Sequence, residues 1–510
     1  MSEKKMIRHM RAVLIVLIFL FQNGFSQTPN LKRIDTYIEQ ARVKWEVPGL
    51  AVAVVKDDSI IFAKGYGVRE LGKPEKVDAH TLFAVASNTK AFTAALLGML
   101  VDEGKLKWDD RVTAHVRDFQ MYDPFVTREL NVIDLLTHRS GLPTYGGDHL
   151  WIGSTLSREE ILRRLRFLEP SAPLRTKFQY QNLMFLVAGQ IIPSVTGKSW
   201  DEFMHERILT PLGMNETSTS IRFLQNRGNV AMPHEVVSGK ISVIAYDSVD
   251  AVGPAGSLNS NVIDMAQWMR LHLGKGVYQG KRLFSERTAR NLHTLHMPIP
   301  VSTRAEKNFD RHFSGYGLGW FIYDYKGQKV MNHGGGLSGM FSLQTWLPDK
   351  NFGVIILTNF APHDLIDALT YRILDAVLGA PARDWSSDFL KWRDDQRERE
   401  AKAEAELQAQ RVAGTQPSLK LESYVGDYFD DFSGPARVSL QNGKLVFYYN
   451  PRHTGELEHW NYDTFRITWN NPIYDMPKTA FITFYLDESG NVEKLKTSFY
   501  DPIHFKKLNE

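Results

Sequence analysis

The chain has 510 residues, enough for more than one domain, and 43% hydrophobic with 23% charged residues is the balance of an ordinary folded protein. Its net charge is +3, and residues 1–26 hold four Lys or Arg against one Glu, so the remainder is about neutral and gives no electrostatic case for nucleic acid. There is no cysteine, which excludes disulfides and thiolate metal sites.

Lys4, Lys5, Arg8 and Arg11 precede ten apolar residues, Ala12 to Phe21, and the small residues Gly24 and Ser26 come next. This order predicts a secretory leader over residues 1–26, cut near Ser26–Gln27. Ten apolar residues fall short of the ~20 that cross a bilayer, so no stable membrane span is expected after cleavage. An uncleaved anchor is the alternative. The expected location is secreted or periplasmic, in a bacterial envelope.

Asn30 to Glu46 has helical spacing in Leu31, Ile34, Tyr37, Ile38 and Ala41. Two strands, Leu50–Val55 and Ile60–Tyr66, flank the turn-like Lys56-Asp57-Asp58. Residues 80–280 read as mostly helical. Strand-like runs return at Gly319–Tyr323, Met340–Leu347 and Phe352–Thr358, and then a helix at Asp364–Leu378. Strands at both ends with helices between predict an α+β fold, an antiparallel sheet flanked by helices with a mostly helical region inserted. This gives a first domain over residues 27–382. Residues 383–417 are rich in charge and alanine and read as a solvated connecting helix. Residues 418–510 form a second, all-β unit, a small barrel or sandwich, with Asn442-Gly443 as a hairpin turn. Its aromatics, among them Phe447, Tyr448, Tyr449, Trp460, Tyr462, Phe465 and Trp469, read as core more readily than as the lining of a ligand cavity.

Within the first domain, Ser87 and Lys90 form an S-x-x-K element at the start of an apolar helix, Ala91 to Val101. The spacing puts hydroxyl and amine on one helix face, with Ser87 on the first turn. A buried lysine loses solvation and can serve as a base. The same spacing at Ser2 and Lys5 is chance. Tyr180 and Asn182 lie on a loop entering a buried helix and can bring a phenol and an amide to Ser87. His333-Gly334-Gly335-Gly336 can supply a strand edge that a ligand approaches closely. Tyr448 with Asn450, and His453 with Gly455, repeat these patterns in the second unit and read as decoys. Neither a G-x-S-x-G elbow nor an H-E-x-x-H helix is present, so an α/β-hydrolase and a zinc enzyme are disfavoured and no metal or cofactor is expected.

These motifs, in this order, resemble the penicillin-recognising serine hydrolases: class C β-lactamases, D-Ala-D-Ala peptidases, D-aminopeptidases and related esterases. Residues 48–54, Lys64 to Gly67, Leu135 to Pro143, Gly253 to Leu258 and Tyr316 to Trp320 share in the resemblance, which covers residues 30–380. The second unit resembles the lipocalin-like accessory domain of some members. The resemblance implies Ser87 as nucleophile, with Lys90, Tyr180 or both taking its proton. It implies that Asn182 holds Lys90 and a substrate amide. The oxyanion would rest on the N–H groups of Ser87 and Gly336, and His333 and Gly335 would line the opposite wall. The family's β-lactamases carry Lys-Thr-Gly where this chain has His333-Gly334-Gly335. A permanent cation is thus replaced by a group with an ordinary pKa of ~6.5, and a hydroxyl is lost. The expectation is an exported serine hydrolase acting on a small-molecule or peptide substrate, a D-amino-acid peptidase or esterase. A β-lactamase, or a protein that binds penicillin or cell-wall peptides with little turnover, is the alternative.

Overall fold

The computed structural model describes residues 30–361, 364–470, 479–498 and 503–508. The expected leader, residues 1–26, lies outside them. Helix α1 (Leu31–Lys44) starts at Asn30, whose side chain accepts from the Arg33 N–H. Strands β1 (Gly49–Lys56) and β2 (Ser59–Gly67) come next as a hairpin. Four helices of the inserted region position the site: α2 (Thr89–Asp102), α3 (Asn182–Thr196), the short α4 (Gly253–Gly256) and α5 (Val262–Leu273). The chain then returns through β3 (Met297–Pro298), β4 (Ser314–Tyr316), β5 (Phe321–Tyr325), β6 (Gln328–Leu337), β7 (Met340–Leu347) and β8 (Phe352–Thr358). One eight-stranded sheet results, in the order β2-β1-β8-β7-β6-β5-β4-β3.

Two apolar faces make this sheet the centre of the domain. In β1, Ala51, Ala53 and Val55 join the core shared with the helical region. The intervening Leu50, Val52 and Val54 join a second core beneath α1 and α6 (Asp364–Leu378). Strand β8 divides in the same way, Ile355 and Leu357 against Val354 and Ile356. The period-2 alternation of a strand therefore serves two hydrophobic layers at once.

The strand expected at Gly319–Tyr323 begins at Phe321 instead. Gly319 has φ +81°, and a Cβ there would lie 2.8 Å from the Ala91 Cα, so the chain turns tightly against α2 before β5 can start.

The charged helix α7 (Trp385–Ala409) is exposed over most of its length, but Trp385 and Phe389 in its first turns are buried in the second core. The Trp385 indole donates to Asp375 at 2.7 Å, and the Tyr325 hydroxyl donates to the same carboxylate at 2.6 Å. At its far end Glu404 accepts two hydrogen bonds from Arg466, at 2.5 and 3.1 Å. Strands β9 (Gly426–Asp430), β10 (Gly434–Gln441), β11 (Lys444–Tyr448), β12 (Thr454–Asn461), β13 (Thr464–Trp469), β14 (Phe481–Leu486), β15 (Val492–Thr497) and β16 (His504–Lys507) close into an eight-stranded barrel, β9 pairing with β16. Phe447, Phe465 and Trp469 pack in its core, while Tyr448 and Tyr462 face solvent.

The Trp385 ring is 1% exposed and packs against Phe309 and Tyr371, so Trp385→Ala should lower stability by about 3–5 kcal/mol, the usual cost of deleting a large buried ring. Chemical denaturation of the full chain checks this, with Trp392→Ala, a half-buried neighbour, as the milder comparison.

Candidate active site

Ser87 sits in a single 3₁₀ turn, Ala86–Asn88, ahead of α2, rather than on the first turn of the helix itself. Ala86 has φ +45°, a costly conformation for a residue with a side chain. The turn is held from the sheet side. Asn88 Nδ2 donates to Ser342 Oγ at 2.7 Å, and Ser342 Oγ donates to the Val85 carbonyl at 2.7 Å.

The helix start places Lys90 inward, with no exposed surface. Its Nζ lies 3.0 Å from Ser87 Oγ, 2.7 Å from Asn182 Oδ1 and 2.9 Å from the Ala255 carbonyl on α4. Burial pulls the Lys90 pKa down to about 7, against the opposing pull of Asp148. Asn182, the first residue of α3, donates from Nδ2 to Asp148 Oδ2 at 2.8 Å, and the Trp151 indole donates to Asp148 Oδ1 at 3.0 Å. A chain of contacts thus runs from Ser87 through Lys90 and Asn182 to a buried carboxylate.

Tyr180 stands across the amine, its ring centroid 4.9 Å from Lys90 Nζ. Of the two groups expected to take the Ser87 proton, Tyr180 is the one that burial keeps protonated. Burial drives the Tyr180 pKa well above its ordinary value, and the hydrogen bond to Ser87 only partly offsets it. The ring packs, tilted by 32°, against the buried imidazole of His138, centroids 4.1 Å apart. His138 Nδ1 accepts from the Gln181 N–H at 3.0 Å, so it fixes the loop that presents Tyr180.

His333 departs from expectation. It is 1% exposed, and burial, with Lys90 nearby, lowers its pKa to about 3. Its Nδ1 faces the Gly334 carbonyl at 2.6 Å and must donate to it, which leaves Nε2 to accept from the Tyr316 hydroxyl at 2.8 Å. The side chain is a neutral, fully engaged imidazole.

The glycines beside it are required by close approach. A Cβ on Gly335 would meet the Val85 carbonyl oxygen at 2.1 Å and the Ser87 nitrogen at 2.9 Å. Strand β6 pairs with β7 as far as Leu337, but its register with β5 stops at Asn332. From His333 to Leu337 its other edge is open toward the serine. Ser87, Tyr180, Asn182, His333, Gly335 and Gly336 all line one cavity of about 690 Å³. Among the described residues, Tyr448 lies on the solvent face of the barrel and His453 is buried in the second unit, away from this cavity.

Several participants carried no sequence signal of their own. Asp148 sits in an undistinguished loop, and only the fold brings it behind Asn182. Ala255 and Tyr316 belong to segments that share in the resemblance, yet their roles, a carbonyl on Lys90 and a hydroxyl on His333, depend on distant contacts.

Comparisons with known proteins agree with this architecture. The family model described as Beta-lactamase matches residues 34–378, and one described as Domain of unknown function (DUF3471) matches residues 410–509. The chain is 32% identical over 419 residues to the unguisins hydrolase ungD′ of Aspergillus campestris, covering 77% of this chain and 74% of that protein. It is 29% identical to penicillin-binding protein 4 of Amycolatopsis lactamdurans, over 62% of this chain and 82% of that one. In structure it resembles the octameric penicillin-binding protein homologue from Pyrococcus abyssi, with a TM-score of 0.61, 21% identity, and coverage of 94% of this chain and all of the other.

The depressed Lys90 pKa has a consequence for stability. Between about 7 and the ordinary lysine value of 10.5, the unfolded chain binds a proton at this position that the folded chain does not. Stability should therefore rise with pH across that window. Relative to Lys90→Met, the wild type should gain on the order of a few kcal/mol between pH 7 and pH 10, read from urea melts of both proteins.

Proposed function

The chain belongs to the Beta-lactamase family, and on that premise we propose that it is an exported serine hydrolase that forms an acyl-enzyme on Ser87 with a peptide, amide or ester substrate. The reading is carried by the surroundings of the Lys90 amine. A neutral amine has two hydrogens and one lone pair. The Asn182 and Ala255 oxygens take the hydrogens, at 2.7 and 2.9 Å, and the third direction meets Ser87 Oγ at 3.0 Å. With a pKa of about 7, much of the lysine is neutral at physiological pH. The lone pair is then aimed at the serine proton, as a general base requires.

In the first step Lys90 Nζ takes the Ser87 proton while Oγ bonds to the substrate carbonyl carbon. The carbonyl electron pair moves to its oxygen, which rests on the N–H groups of Ser87 and Gly336. Collapse of this intermediate breaks the bond to the leaving group. Tyr180 is a neutral phenol, its pKa raised by burial, so it serves as the proton donor to the leaving group and is re-protonated by Lys90. Water then attacks the Ser87 ester, its proton returns through Tyr180 and Lys90, and Ser87 Oγ–H is restored.

The neutral His333, engaged with Tyr316, supports a preference for substrates without a carboxylate beside the scissile bond. A specialised peptidase or an esterase fits this better than a β-lactamase. The basic and apolar start of the chain, Lys4 to Phe21, supports export to the bacterial envelope. A small-molecule or peptide substrate is the partner proposed.

Intact mass of the wild type after a fluorophosphonate should show one added group, absent from Ser87→Ala. The lack of an adduct on folded wild type would sink the serine mechanism and favour a binding protein. With benzylpenicillin, a persistent adduct would point to a penicillin-binding site and a rapidly lost one to a lactamase.

His333→Lys restores a cation on the strand. It should speed penicillin acylation about tenfold to hundredfold, the worth of one charge-assisted hydrogen bond, as read by stopped-flow acylation rates.

A further inference from the structure

The segment between Gly147 and Gly153 is held in an unusual way. Gly147 has φ +83°, and a Cβ on it would lie 2.6 Å from Leu183 Cδ1 and 2.8 Å from Phe432 Cζ. Gly153 has φ +64°, and a Cβ there would lie 2.4 Å from Arg452 Cγ. Phe432 and Arg452 both come from the barrel. Phe432, at the β9–β10 turn, is 7% exposed and packs within the core of the hydrolase domain. Between the two glycines, His149 Nε2 lies 3.1 Å from Ser433 Oγ, and its ring stands edge-on to Phe432 at 5.4 Å. The Ile152 carbonyl accepts from Asn450 Nδ2 at 2.9 Å.

Barrel residues thus touch positions 147, 149, 152 and 153. The two remaining polar side chains of the segment, Asp148 and Trp151, turn to the cavity, bonded to each other at 3.0 Å, with Asp148 on Asn182 at 2.8 Å. The docking is anchored further out. Arg452 pairs with Asp247, and Arg164 donates to the Ser433 carbonyl at 2.8 Å.

We infer that the barrel is a working part of the active site: its loops at Phe432 and Asn450 clamp residues 147–153 and so hold Asp148 in position against Asn182 and Lys90. Phe432 and Asn450 are positioning residues, acting through Asp148. The inference rests on the serine-hydrolase reading, with Lys90 as base.

The charged and titratable groups around Lys90 are Asp148, Tyr180, His138 and His333. Burial keeps the last three neutral, through a raised phenol and two lowered imidazoles. Asp148 is the group whose charge raises the Lys90 pKa against the pull of burial. A displaced Asp148 therefore has a signature that lost stability alone does not have: the pH midpoint of serine activation moves down.

The test measures fluorophosphonate labelling rates by intact mass from pH 5 to pH 9, on full-length wild type, Phe432→Ala, Phe432→Leu and Asn450→Ala, with Asp148→Asn as the reference. Phe432→Ala and Asn450→Ala should label about tenfold more slowly, with the midpoint moved toward that of Asp148→Asn. Phe432→Leu, which refills most of the space, should recover most of both. Wild-type rates and an unmoved midpoint would overturn the clamp, as would slower labelling with an unmoved midpoint. If Phe432→Ala loses its cooperative melt, Asn450→Ala decides. A wild type that is not labelled overturns the hydrolase reading itself, an outcome visible before any variant is compared.

Discussion

A lysine without solvent is the constraint around which this molecule is arranged. Lys90 has no exposed surface, and the cost of stripping water from an ammonium is large enough that the group gives up much of its charge instead. The neutral amine still needs acceptors for two hydrogens. One is a side chain on α3 and the other a backbone carbonyl on α4. Three separated stretches of chain must therefore meet at one nitrogen, and their packing is correspondingly tight. A Cβ on Gly189 of α3 would come within 2.1 Å of Pro254 Cγ.

The opposite wall obeys a complementary rule. The sheet must approach the serine turn closely enough for its backbone to face a substrate, and only glycine permits that approach at position 335. The neutral His333 keeps this wall free of charge. Lys90 and Asp148 are coupled to each other through Asn182.

Much of this was legible in the chain. Met340–Leu347 and Phe352–Thr358 stand where their β-branched and aromatic runs placed them. The S-x-x-K spacing put Ser87 and Lys90 on one face because three residues separate neighbours on a helix. Quantities set by desolvation could not be read in this way. The high pKa of Tyr180, the low one of His333 and the hidden carboxylate of Asp148 all come from burial, which is a property of the assembled fold. Local spacing was also silent on the Phe432 contact with Gly147, because these residues lie far apart in the chain. Phe447, Phe465 and Trp469 could be assigned to the core of the second unit, but Tyr448 and Tyr462 face solvent, and one ring from the β9–β10 turn belongs to the other domain's core.

The sheet that carries the site also dictates when the protein can be finished. Gly49 bonds with Thr358, 309 positions later, and β1 needs β8 as its neighbour. During synthesis the first hairpin must wait with one edge bare and both faces apolar until most of the hydrolase domain has emerged. An unfinished chain of this kind is a template for wrong pairing. A nascent chain stalled before residue 352 would leave that edge bare, so the interval between the second strand and the last is the stretch of synthesis in which wrong pairing competes with completion of the sheet.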